Sequence, residues 1–179
     1  MADVSVRPAR ADDVDEIARI QLQTWRTAYQ SILPGTVLDE VSPAVAAQAW
    51  RDAVMAPPSP QHHVLVAREK DWTVGFAALQ PATELAADEP DRDTTGVLGP
   101  VLVEPRWGRR GHGSRLLAAA VDHARTDGMT RAVIWLPEED QVSRAFFLSA
   151  GWQPDGLVRA LDTGNGELRE IRLHVGLVA

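Results

Sequence analysis

The sequence contains no cysteine, which excludes a disulfide framework, a thiolate metal site and a cysteine nucleophile. Lysine occurs once, at Lys70, and tyrosine once, at Tyr29. The longest purely apolar stretch, Leu116 to Val121, is far shorter than the ~20 residues that a membrane-spanning helix needs. The first ten residues carry charges of both signs and no apolar core, so we expect no secretory signal. These absences predict a cytoplasmic protein without a membrane partner.

Size and charge narrow the class of protein further. A length of 179 residues with 45% hydrophobic content suits a single domain, residues 1–179, built on one core. The formal net charge of −7 lacks the basic footprint of a nucleic-acid-binding protein. His62 and His63 begin a predicted strand without a third ligand in register, so we expect no metal site. The sequence leaves the oligomeric state open, with a homodimer as one option.

The spacing of apolar residues alternates between helical and strand periods along the chain. The predicted elements are, in order, a strand at Val4–Val6, a helix from Val14 to Tyr29, a helix between Thr36 and Val54, a hairpin of His63–Arg68 and Trp72–Gln80, a strand at Val97–Val103, a helix around Leu116–Ala124, a strand at Ala132–Leu136, a helix from Val142 to Ser149, and a hairpin of Leu157–Leu161 and Leu168–Val175 turning at Asn165-Gly166. Gly99-Pro100 indicates a bulge or an unpaired edge within its strand. This order predicts an α/β (α+β) fold, a central mixed sheet of about seven strands with helices on both faces.

The stretch from Val101 to Leu117 carries the strongest chemical signal. A strand leads through a loop with three glycines into a helix, whose first N–H groups attract phosphate. A Walker A loop is excluded because Ser114 stands where that motif needs lysine. A dinucleotide fingerprint is excluded because Leu116 stands where it needs the third glycine. The acyl-CoA loop Gln/Arg-x-x-Gly-x-Gly/Ala remains, and Gly108 to Gly113 matches it except at the first position.

Three segments, in order over nearly the whole chain, resemble the GCN5-related N-acetyltransferase (GNAT) superfamily. They are Trp25 to Tyr29 followed by Ile32-Leu33-Pro34, the loop just described, and Ser143 to Trp152. The resemblance implies an acyl-CoA N-acyltransferase-like fold and an acetyl-CoA-dependent enzyme. Such an enzyme moves acetyl directly to a primary amine of a small molecule or peptide, without a covalent intermediate or a metal.

The resemblance also assigns roles to residues that match the family motifs. The strand backbone would hold pantetheine, with the Val103 amide polarising the thioester carbonyl, and the loop would bind pyrophosphate mainly through its N–H groups. The implied acetyl-CoA-binding residues are Val101, Leu102, Val103, Arg109, Arg110, Gly111, His112, Gly113, Ser114, Asp140, Arg144 and Phe147. The ring of His112 is expected to do no more than cover the loop.

The acceptor side departs from the family pattern at two positions. Phe147 stands where a general-acid tyrosine is frequent, and Val97 where a glutamate base is frequent. We assign Trp25, Tyr29 and Gln80 to the acceptor pocket, with Tyr29 as the candidate replacement proton donor. Two alternatives stay open: a CoA-binding regulatory domain with little or no turnover, and an unrelated α/β module whose glycine loop is a tight turn. The acidic segment 84–93 is expected to be solvated surface, with steering of a cationic amine as the minority interpretation.

Overall fold

The computed structural model describes residues 3–32, 35–164 and 166–177. Leu33, Pro34 and Asn165, which entered the motif and turn predictions, lie outside the described residues. The strands and helices are β1 Val4–Pro8, α1 Val14–Ala28, α2 Gly35–Glu40, α3 Pro43–Met55, β2 His63–Glu69, β3 Trp72–Pro81, β4 Thr95–Val103, α4 His112–Thr126, β5 Arg131–Pro137, α5 Gln141–Ser149, β6 Gln153–Asp162 and β7 Glu167–Gly176. None of the helices within these ranges is long and apolar enough to cross a membrane.

The predicted order of elements is confirmed with one correction in the first half. The helix predicted between Thr36 and Val54, with Pro43 expected near the start of one segment, is two helices, α2 and α3, and α3 does begin at Pro43. Ser42 has an extended backbone and its Oγ accepts a hydrogen bond from the N–H of Val45 at 3.2 Å, which caps α3. Pro43 follows as the first residue of α3 and has no N–H to continue a preceding helix.

The sheet has seven strands in the order β1-β2-β3-β4-β5-β7-β6. β4 and β5 run parallel, whereas every other neighbouring pair in the described sheet is antiparallel. The predicted mixed seven-stranded sheet is therefore confirmed.

Helices cover the sheet on both faces, as predicted. On one face α4 and α5 enclose the larger core, which includes Leu116, Leu117, Ala120, Phe147 and Trp152 together with strand residues Leu65, Ala77, Leu79 and Ile134. On the other face α1 and α3 pack on β2 and β3, with the Trp50 ring edge-on to Phe76 at 4.9 Å between centroids. Burial of each large apolar side chain stabilises the fold by about 1.5–3 kcal/mol, so both helix layers are firmly attached.

A bulge in β4 opens the sheet. Gly99 and Pro100 together lie opposite Ala78 of β3, because the register changes between the pairs Leu79–Leu98 and Ala77–Val101. β4 pairs with β5 from Thr95 to Leu98, and the described β5 has no ladder partner in β4 beyond that point. The two strands therefore diverge at their carboxyl ends and leave a cleft, and the expected bulge is confirmed.

Candidate active site

The cleft between β4 and β5 exposes backbone hydrogen-bonding groups inside an otherwise paired sheet. Val101, Leu102 and Val103 keep their register with Ala77, Phe76 and Gly75 of β3 on one side. On the other side the described sheet gives them no strand partner. Unpaired backbone groups at a sheet edge can bind an extended ligand as a further strand would bind. The structure thus brings these three predicted residues together as one wall of the cleft.

The glycine loop ends in an uncapped helix beside this cleft. Arg109 and Gly111 have left-handed backbones, with φ of 64° and 80°, and α4 begins at His112. No side chain caps α4, whereas Ser42 caps α3 and Asp140 caps α5. The first N–H groups of α4 are therefore available to an anion at the positive end of the helix dipole.

The His112 ring lies beneath the loop, which corrects the expectation that it covers the loop. Its side chain is buried, and Nε2 lies 2.8 Å from Oε2 of Glu69 at the end of β2. Arg110 donates to the other oxygen of Glu69 at 2.9 Å and lies over the Trp107 ring. Desolvation opposes the charge of Glu69, but His112 and Arg110 outweigh it and lower the pKa of this carboxyl. Glu69 therefore anchors the loop to β2, and only the backbone of His112 remains for a ligand.

A groove of about 470 Å³ between α4 and α5 continues from the start of α4. Ser114, Val121 and Phe146 are among the residues that line it. A Cβ atom added at Gly113 would lie 3.5 Å from the Phe146 ring and 3.9 Å from a methyl group of Val103. The glycine therefore lies where α4, α5 and β4 meet, between the groove and the cleft.

Phe147 does not line this junction. Its side chain is 2% exposed and packs edge-on against Phe146 and Trp152, each at 5.2 Å between ring centroids. Because α5 turns about 100° per residue, adjacent phenylalanines face different sides, and Phe146 is the one beside Gly113. The expected contact of Phe147 with the ligand is corrected: the ring belongs to the core.

Tyr29 and Asp140, predicted separately, are in direct contact. The Tyr29 hydroxyl donates to Oδ2 of Asp140 at 3.0 Å, which joins the end of α1 to the start of α5. The Ser143 hydroxyl donates to the same oxygen at 2.7 Å, and the Ser143 N–H donates to Oδ1 at 3.0 Å. Burial, followed by the charge of Asp140, raises the pKa of Tyr29, so this hydroxyl keeps its proton.

α1 also contacts the β4 side of the cleft. Arg19 donates from both Nη atoms to the buried carboxylate of Glu104, the residue after β4, at 3.2 and 3.1 Å. Burial opposes ionisation of Glu104, but Arg19 and then Arg106 outweigh it and lower its pKa. Tyr29 follows Arg19 by ten residues, about 15 Å of helix. α1 therefore extends from the end of β4 to the start of α5.

The acidic segment is not simply solvated surface. Glu89 accepts two hydrogen bonds from the buried Arg172, at 3.0 and 2.6 Å, and Arg131 lies 3.4 Å away. Asp155 accepts from the same two arginines at 2.7 and 3.1 Å. Glu89 thus attaches segment 84–93 to β5 and β7, although its neighbours Glu84, Asp88, Asp91 and Asp93 are exposed as expected.

The remaining predicted residues lie nearby but make fewer contacts. Trp25 is half-buried and lies one helical turn before Tyr29. The Tyr29 N–H donates to the Trp25 carbonyl at 2.9 Å. Gln80 is exposed opposite Val97, so their side chains share a sheet face. Arg144 is half-buried on α5, and its side chain has no polar partner among the described residues.

Sequence reasoning missed several residues that shape the site. They are Glu69, Arg115, Phe146 and Ser143. Arg115 has a local signal, since it lies in the first turn of α4 and donates back to the Arg110 carbonyl at 3.0 Å. Glu69 has none, because its partner His112 is 43 residues away.

A diverging sheet with an uncapped glycine-loop helix defines the class of acyl-CoA N-acyltransferase folds. Residues 20–152 match the model of the acetyltransferase (GNAT) family. The chain belongs to this family and is an acetyl-CoA-dependent N-acetyltransferase.

Other known proteins are similar to this chain in sequence or in fold. An N-acetyltransferase of Bacillus subtilis strain 168, YuaI, is 25% identical over 138 residues, which cover 76% of this chain and 73% of that protein. The structure of yncA from Salmonella typhimurium with acetyl-CoA has a TM-score of 0.73 at 17% identity, with 99% of this chain and 96% of that chain covered. The PaiA N-acetyltransferase of Thermoplasma acidophilum in complex with coenzyme A has a TM-score of 0.72 at 12% identity, with coverage of 97% and 99%. At these identities the two structures establish the shared fold.

Proposed function

We propose that this enzyme transfers acetyl from acetyl-CoA to the primary amine of a small molecule or peptide by direct attack. The observation that carries the proposal is the cleft itself. It places the unpaired backbone edge of Val101–Val103 next to the uncapped start of α4. An extended thiol arm and a diphosphate need these two kinds of partner side by side.

The donor would be held mainly by backbone groups. The N–H groups from Arg109 to Ser114 would bind pyrophosphate, with charge from Arg109 and Arg110. Val101 and Leu102 would bind pantetheine, and the Val103 amide would polarise the thioester carbonyl, whose oxygen gains charge in the transition state. Asp140 and Arg144 would lie near the pantetheine arm. Phe147 supports this arm only through the core, beneath Phe146.

The acceptor would lie on the α1 side of the cleft, among Trp25, Tyr29 and Gln80. Tyr29 is a poor proton source for the departing thiolate, because its raised pKa makes it a weaker acid than a thiol of reference pKa ~8.5. A thiolate with such a pKa needs only modest help at neutral pH. Tyr29 is therefore better suited to donating a hydrogen bond at the site than to giving up its proton.

The test is an amine panel assayed by release of free CoA from acetyl-CoA. The panel holds primary alkyl amines, amino acids and peptides with free amino groups, and each has a tertiary-amine or N-acetylated analogue as its control. We expect turnover with at least one primary amine and none with its control. CoA binding by calorimetry without turnover would favour the regulatory-domain alternative, and absence of CoA binding would refute the proposed site.

A further inference from the structure

We propose that the Asp140 carboxylate accepts the proton that the attacking amine loses, with Tyr29 and Ser143 as positioning residues. This proposal rests on the proposed function and deepens it. Asp140 follows β5 by three residues and caps α5, so it lies at the end of the sheet where β4 and β5 diverge. Its helix reaches the cleft through Phe146, beside Gly113.

The hydrogen-bond partners of the Asp140 carboxylate set it apart from the other buried or half-buried carboxylates. Every other buried or half-buried carboxylate among the described side chains forms an ion pair with arginine or histidine; these are Asp13, Glu16, Glu69, Glu89, Glu104, Asp127, Asp155 and Glu170. The donors to Asp140 in the same part of the chain are two hydroxyls and one backbone N–H. The Asp140 carboxylate thus has no cationic side chain as a partner among the described residues, and a positively charged nitrogen of the ligand can supply one.

The hydrogen bonds around Asp140 fix its orientation and leave it room to accept a proton. Oδ2 accepts from both hydroxyls, whereas Oδ1 accepts from the Ser143 N–H alone. A carboxylate oxygen has two lone-pair sites, so Oδ1 retains one for a donor from the ligand. Tyr29 keeps its own proton and can therefore hold Oδ2 throughout the reaction.

Other charged groups near this pair are already engaged or lack proton-accepting capacity. Glu170 of β7 contributes to the raised pKa of Tyr29 but is paired with Arg159 at 2.5 Å. Glu138, on the same connection as Asp140, pairs with Arg169 at 3.1 Å. Arg144 is a permanent cation and cannot accept a proton. The usual base position holds Val97 and the usual acid position holds Phe147, neither of which can exchange a proton.

The step balances without another reactant. The lone pair of the neutral amine forms the C–N bond, and the C–S bond breaks with its electron pair left on sulfur. The nitrogen, positively charged in the adduct, gives its extra proton to Oδ1 of Asp140. Asp140 then passes that proton to the thiolate or to solvent and returns to its starting state.

The experiment measures kcat, KM and the pH profile with the most active amine of the panel. Asp140→Asn and Asp140→Ser both remove the carboxylate and keep a residue that caps helices, so α5 should stay intact. We expect kcat to fall about 10²-fold or more in both, the typical loss for a general base. Protonation of the amine lowers activity toward acidic pH in every variant, so rates are referred to the concentration of neutral amine. The decline toward acidic pH that remains in wild type should then disappear in both variants, and an unchanged circular dichroism spectrum verifies folding.

Two further variants separate a proton acceptor from a structural residue. Tyr29→Phe should lower kcat by roughly 3–10-fold and retain the decline toward acidic pH, because the carboxylate is still present. Glu138→Gln, the matched control on the same connection, should behave as wild type. Wild-type kcat in both Asp140 variants, or an unchanged acidic decline, would overturn this proposal alone. A wild-type enzyme inactive on every amine would overturn the proposed function and this proposal with it.

Discussion

Replacing Arg172 by methionine should destabilise the protein strongly, because this residue is 3% exposed and its side chain joins three segments. It donates to Asp155 at 2.7 Å and to Glu89 at 3.0 and 2.6 Å. Removing one partner of a buried ion pair costs about 3–5 kcal/mol, since the remaining charge is left without compensation. Arg131 still contacts both carboxylates, at 3.1 and 3.4 Å, so we expect the lower end, about 3 kcal/mol. For a chain of this size that is roughly 6–12 °C in Tm.

The free energy of unfolding that Arg172→Met loses should depend on pH, and the direction of this dependence follows from Glu89. Hydrogen bonding to Arg172, opposed by burial, lowers the pKa of Glu89 in the folded state. A lowered folded pKa stabilises the protein fully above the unfolded value of ~4.3 and less as pH falls through the folded value. The difference between wild type and Arg172→Met should therefore be largest near pH 7 and shrink below about pH 4.

Urea unfolding followed by circular dichroism at both pH values measures these differences, with Arg169→Met as the matched control. Arg169 also pairs with a glutamate, Glu138, at 3.1 Å, but both side chains are about half exposed. Exposed pairs contribute about 0–1 kcal/mol, so the control should lose little stability. Equal losses in Arg172→Met and Arg169→Met would refute the reasoning that burial gives this network its energy.

Three further substitutions test residues at or near the acetyl-CoA side of the site. Gly113→Val should weaken CoA binding at least tenfold, because side-chain bulk enters the space between Val103 and Phe146. Arg109→Ala should lower CoA affinity less than about threefold, since an exposed charge is screened by salt. Near-normal CoA affinity of Gly113→Val in calorimetry would contradict this reasoning. Phe147→Tyr should lower the free energy of unfolding by about 1–3 kcal/mol without raising turnover, because it adds a hydroxyl to the core. Faster turnover of Phe147→Tyr at unchanged stability would instead place position 147 within reach of the thioester.

Structural features that depend on residues close together in the chain could be predicted from the sequence. The bulge at Gly99-Pro100 and the loop from Gly108 to Gly113 depend on residues adjacent in the chain, and the structure shows both. The boundary between α2 and α3 also had a local signal, because Ser42-Pro43 is a capping residue followed by a residue that favours the first helical turn. Pro43 was expected near the start of one segment, but no separate helix was predicted before it because the apolar spacing on both sides is helical.

Contacts between distant segments were not predictable, because periodicity describes one element at a time. Tyr29 and Asp140 were each assigned to the site from motif position, but their 3.0 Å hydrogen bond spans 111 residues. To decide whether Phe146 or Phe147 lies at the site, one must know which face α5 turns toward α4, and the local sequence does not give this. Motif position favoured Phe147, whereas packing against Gly113 selected Phe146.

These long-range contacts show what the preference of the sequence for arginine over lysine does in the structure. Lys70 is the one lysine in the chain, so arginine supplies nearly all the cations. Arg19 binds Glu104 through two nitrogens and Arg172 binds Glu89 in the same way, and a lysine ammonium lacks the planar fork for such pairs. The first pair attaches α1 to β4, and the second attaches the acidic segment to β7. Both pairs attach to the sheet segments that no strand pairing holds, so the tertiary structure depends on arginine chemistry as well as on apolar packing.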